Sequence, residues 1–144
     1  MIERSGFALW DGDLKTGTGL LRSGSGMVEA AYSFGSRFQE DLGTNPEELI
    51  ATAHAGCFTM ALSQELTQSG YTPQHIQTTA NVYFEKVRQG YQFTRITLHT
   101  KAQVPDLDEP LFAQKAEEAK NNCPVSKALT GVNIELQAHL VNKT

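Results

Sequence analysis

At 144 residues the chain has the length of one domain whose core needs no staples, and a single domain over residues 1–144 is expected. Its 12 basic and 16 acidic side chains give a net charge of −4 and leave no basic stripe for a nucleic-acid backbone, so no nucleic acid is expected as a partner. The opening MIERSGFALW lacks the apolar region of a signal peptide, and the longest apolar run, Leu49 to Leu62, is short and interrupted by Thr52, His54 and Thr59. No membrane contact is expected, and the expected setting is the cytoplasm.

Residues 5 to 38 are glycine-rich with short apolar patches (GFALW, GTGLLR, GMVEAAYSF), which predicts two or three short strands joined by tight turns. GTGLLRSGSG is not a nucleotide loop, because Arg22 stands where GxGxxG requires its third glycine and no helix signal follows. Its glycines read as hairpin residues. The start of a helix is written in GTNPEEL, with Asn45 as cap, Pro46 in the first helical position and Glu48 closing a capping box. That helix is predicted to run to about Gln68, ended by Gly70.

Two alternating strands follow. One buries Ile76, Thr78, Ala80, Val82 and Phe84, the other Ile96, Leu98, Ala102 and Val104, and RQGY turns between them. Residues 108–121 predict a second helix and Pro124 to Leu129 a short third, with a loop through Asn121 and Asn122 between them. VNIELQAHLVN, residues 132–142, gives a last alternating strand. The class is α+β.

The first helix has almost no polar face between Leu49 and Leu62, so it must be covered on every side. Ala51, Ala53, Ala55, Gly56 and Ala61 would admit a second backbone, which points to an obligate homodimer with this helix at its centre; burial within one subunit is the alternative. Cys57, on this helix, and Cys123, in NNCPVSKAL, are the only thiols. Two cysteines so far apart do not make a disulfide framework. His54 precedes Cys57 by one turn, but no CxxC or HExxH accompanies it, and no metal is expected. The residues alone leave Cys57 either a small buried apolar side chain or a reactive thiol.

RFQEDLGTNPEELIATAHAGCFTMALS, followed by CPVSKAL and preceded by ALWDGDLKTGTG, resembles the OsmC branch of the OsmC/Ohr family of thiol-dependent organic hydroperoxide reductases. The resemblance implies an α+β fold of antiparallel sheets around central helices in an intertwined homodimer. It also implies two interfacial active sites with no metal or organic cofactor, in a cell's response to oxidative or osmotic stress. By the same resemblance Cys57 is the peroxidatic cysteine, passing through a sulfenic acid, and Cys123 the resolving cysteine that forms a disulfide with it. An external dithiol, of lipoyl type by the same resemblance, then recycles the pair. Arg37 matches the family's arginine and Glu47 its carboxylate.

The chemistry agrees. Cys57 lies too far into its helix for the dipole to ionise it, so a cation such as Arg37, oriented bidentately by Glu47, must stabilise the thiolate. Apolar neighbours Phe38, Phe58 and Met60 suit an alkyl or aryl hydroperoxide. Glu47 and Cys57 stand about 15 Å apart along one helix. Arg37 and Glu47 are therefore expected to reach Cys57 from the partner chain, across helices crossing antiparallel; a bridge by Arg37 within one chain is the alternative. A non-catalytic redox-sensing or hydrophobic-ligand-binding dimer is the competing function.

Overall fold

The computed structural model describes residues 1–141, so the final expected strand residue, Asn142, lies outside the described residues. The chain divides into two compact units, Met1–Leu49 and the part from Ile50 onward.

In the first unit, β1 (Gly6–Asp11), β2 (Thr18–Ser23) and β3 (Glu29–Tyr32) form an antiparallel sheet in the order β1-β2-β3. Gly19 is not a turn residue. It sits in β2 opposite both Trp10 and Tyr32, whose rings meet edge-on at 5.3 Å, and a Cβ there would run into both. A one-turn helix, α1 (Phe34–Phe38), follows; Ser33 and Ser36 cap it reciprocally, each side-chain oxygen accepting the other's backbone N–H. Arg37 therefore stands on a helix.

The long helix α2 (Pro46–Gln68) has the predicted bounds. Asn45 Oδ1 accepts from the Glu48 amide at 2.7 Å, and the Glu48 carboxylate accepts from the Thr44 hydroxyl at 2.6 Å. Along α2, His54, Phe58, Leu62 and Leu66 repeat every four residues and are fully buried. The other side carries Ala53, Gly56 and Met60, all exposed, Met60 to 77%. One chain thus covers one stripe of this helix and leaves the opposite stripe open.

In the second unit, β4 (His75–Val87) and β5 (Gly90–Gln103) form a long antiparallel hairpin closed by Arg88 and Gln89, with Gly90 at φ +116°. The predicted alternation holds: Ile96, Leu98, Ala102 and Val104 are buried. α3 (Glu109–Asn122) is capped by Asp108, and α4 (Pro124–Ala128) follows after a single residue. The loop expected through Asn121 and Asn122 is absent, because α3 continues to Asn122 and only Cys123 separates the helices.

β6 (Asn133–Leu140) then pairs parallel with β5, beside the antiparallel β4–β5 pairing. The two helices form the crossover that a parallel return requires. Phe58, Leu62 and Leu66 of α2 pack with Leu98 and Ala102 of β5, Val104 beyond it, Phe112, Ala116 and Ala119 of α3, and Cys123 in one core. No helix of the described residues is long and apolar enough to cross a membrane.

Candidate active site

The four residues singled out in the sequence form two pairs, each complete within one unit. In the first unit, the Asn45 side-chain amide donates to the Ser36 carbonyl at 3.1 Å and the Ser36 hydroxyl donates to the Thr44 carbonyl at 2.7 Å. These bonds pin α1 to the first turn of α2 and bring Arg37 to Glu47. Arg37 Nε and one terminal nitrogen, at 2.8 and 2.7 Å, both address Oε1 of Glu47. The pair is thus end-on to one oxygen rather than bidentate as expected. Glu47 is buried, and its Oε2 has no partner.

The guanidinium lies 5.0 Å from the Phe38 ring and faces a cavity of ≈ 260 Å³ whose walls include Trp10, Tyr32, Phe34 and Phe38. Trp10 and Tyr32 both pack together and line this cavity.

In the second unit, α2 carries Cys57 past the α3–α4 junction, where Cys123 serves as C-cap of one helix and N-cap of the next. Both thiols are free; Cys57 is half-buried and Cys123 fully buried. The thiols share a hydrogen bond, and the Val125 N–H donates to the Cys57 sulfur. Burial pushes the Cys57 thiol above its ordinary pKa, the bond to Cys123 pushes it further, and the Val125 bond opposes both. No cation is among these influences. Cys57 opens into a groove bordered by Met60, Ala61, Gln64, Glu65, Asn122 and Pro124. Phe58, expected at the pocket, points into the core instead.

The sequence reading assigned no role to His54, yet its fully buried ring joins the Ser126 hydroxyl at 2.8 Å through Nε2, while Nδ1 has no partner. The only signal in the sequence was position, since His54 and Ser126 each stand three residues from a cysteine. Among the described residues no group of three or more His, Cys, Asp or Glu side chains could hold a metal ion.

Burial lowers the His54 pKa from its usual 6.5, so the folded chain refuses a proton that the unfolded chain accepts. Stability therefore falls as pH drops through the unfolded value and levels off below the folded one, by at most about 1.4 kcal/mol per pH unit. Urea unfolding between about pH 7.5 and about pH 5.5 should show this loss in the wild type and a smaller loss in His54→Gln. Equal losses in the two proteins would show that His54 is not held neutral.

The family described as OsmC-like protein matches residues 39–137. Peroxiredoxin OsmC of Escherichia coli (strain K12) is 45% identical over 129 residues, which span 89% of this chain and 90% of that protein. Among solved structures, the organic hydroperoxide resistance protein OhrB of Bacillus subtilis superposes with a TM-score of 0.74 at 24% identity, covering 93% of this chain and 97% of that one. The organic hydroperoxide resistance protein OsmC of Legionella pneumophila gives 0.76 at 21% identity, covering 95% and 97%. A family match over most of the sequence, a relative at 45% identity across nearly all of it, and a shared α+β fold together show that this chain belongs to the OsmC-like family.

Proposed function

We propose that the chain reduces organic hydroperoxides to alcohols by a two-thiol cycle, in a homodimer. The observation that carries this reading is the hydrogen bond between Cys57 and Cys123, two free thiols placed together by α2 and the α3–α4 junction. The peroxiredoxin name of the Escherichia coli relative supports the same chemistry. The Cys57 thiolate attacks one oxygen of ROOH, the O–O bond breaks, ROH leaves with a proton, and Cys57 becomes a sulfenic acid. Cys123 then displaces that hydroxyl as water, forming the Cys57–Cys123 disulfide. An external dithiol, such as a lipoyl group, takes the disulfide back to two thiols and is itself oxidised.

Within one chain, burial raises the Cys57 pKa, so the cycle needs a cation at the sulfur. Arg37, steadied by Glu47, supplies it from the partner subunit in this reading. The open Ala53, Gly56 and Met60 face of α2 supports the dimer. The aromatic walls beside Arg37 and the Met60 border at Cys57 favour an alkyl or aryl hydroperoxide over hydrogen peroxide.

A dihydrolipoamide-coupled assay with cumene hydroperoxide, a fatty-acid hydroperoxide and hydrogen peroxide tests this. The organic substrates should turn over at least about tenfold faster per unit concentration, a preference of about 1.4 kcal/mol in the transition state. Binding of the organic peroxides without turnover would favour the redox-sensing or ligand-binding dimer instead.

A further inference from the structure

The geometry points to His54 and Ser126 as a positioning pair that delivers Cys123 to Cys57 in the resolving step. This rests on the two-thiol reading above. On α2, His54 comes one turn before Cys57. On the facing element, Ser126 lies in the first turn of α4, and Cys123 caps that helix. The same two elements are thus cross-linked twice, one turn apart, by thiol with thiol and by imidazole with hydroxyl.

α4 is only five residues long, too short to hold its own position, and the Cys123 side chain makes no capping bond to it. Of the polar bonds tying this region to α2, the Asn122–Glu65 bond is exposed, and the Val125 bond ends on the reacting sulfur itself. The His54–Ser126 bond is the buried one that leaves both thiols untouched, with His54 fully enclosed and Ser126 6% exposed.

A buried imidazole costs free energy unless its polar atoms are paired, and this ring has one partner, Ser126. A proton on Nε2 donates to the Ser126 oxygen and leaves only a lone pair at Nδ1, a cheaper orphan than a buried N–H.

This pairing matters once Cys57 is a sulfenic acid. The Cys123 sulfur must then close from hydrogen-bond contact to about 2.05 Å. Cys57–SOH and Cys123–SH become the disulfide and water, and no other oxidant or reductant enters. Holding α4 in place makes this an encounter of fixed partners, with the high effective concentration that fixing gives.

The step can be read without peroxide. An aromatic disulfide reagent, 5,5′-dithiobis(2-nitrobenzoate), caps Cys57 and releases one thionitrobenzoate; Cys123 then displaces the second from the mixed disulfide in a phase independent of reagent concentration. In the full-length chain, Ser126→Ala and His54→Leu should slow that second phase by tenfold or more and leave the first within about twofold. His54→Gln, which keeps a side-chain N–H for Ser126, should restore it. A general loosening of the fold would instead speed the first phase by exposing buried thiols.

Wild-type second-phase rates in both Ser126→Ala and His54→Leu would overturn the assignment. If the second phase slows as expected while the wild type consumes no hydroperoxide, the positioning pair stands and the peroxidase reading alone falls.

Discussion

Cys57→Ser should abolish hydroperoxide consumption, whereas Cys123→Ser should turn over once per subunit and then consume at most two further equivalents as its sulfenic acid over-oxidises. A serine hydroxyl stays protonated near neutral pH and is a poor nucleophile toward an O–O bond, so the first variant has no route into the cycle. The second variant keeps the thiol that attacks. It loses the neighbour that hydrogen-bonds to Cys57 in the reduced protein and that would capture its sulfenic acid. Left unresolved, the sulfenic acid climbs to sulfinic and sulfonic acid under further peroxide.

Peroxide consumption followed beside mass spectrometry of the Cys57 peptide separates the two outcomes. Near wild-type turnover by Cys57→Ser would end the proposed chemistry. Steady turnover by Cys123→Ser with a dithiol at the wild-type rate would remove Cys123 from recycling.

What the sequence disclosed follows the range over which each signal acts. The start of α2 was legible because Asn45, Pro46 and Glu48 act within one turn of chain, and the structure has the helix where they put it. The β4–β5 hairpin was legible because alternation directly records which face is buried. Strand direction leaves no such record: β6 alternates equally well beside either neighbour orientation, and only the α3–α4 crossover makes it parallel.

α1 is a single turn, too short for any periodicity to reveal, so Arg37 was read without its helix. Gly19 looked like a hairpin glycine because the sequence does not show that two rings converge on it. The site followed the same rule. Arg37, Glu47, Cys57 and Cys123 were named through the family resemblance, not through spacing, and the end-on form of the Arg37–Glu47 pair had no sequence signal. His54 and Ser126 meet across a separation of 72 residues, beyond any local pattern.

A mixture of two inactive variants, Cys57→Ser and Arg37→Ala, should regain part of the wild-type activity once heterodimers form. Each variant fails for a different reason. One lacks the nucleophile, and the other lacks the cation that would offset the burial now raising the Cys57 pKa. Glu47, which anchors Arg37, is in the first turn of α2, and Cys57 is near its middle, about 15 Å further along the same continuous helix. Two such helices crossing antiparallel through their open Ala53, Gly56 and Met60 faces would carry the first turn of each toward the middle of the other. In that arrangement a heterodimer contains one site with intact Arg37, Glu47 and Cys57 and one site lacking both Arg37 and Cys57. Random exchange of subunits makes half the dimers mixed, so the mixture should reach about a quarter of wild-type activity. Thiolate absorbance against pH adds a second reading, since Arg37→Ala alone should raise the Cys57 titration. Heterodimers verified by mass spectrometry that stay inactive would place Arg37 and Cys57 of each site in the same chain.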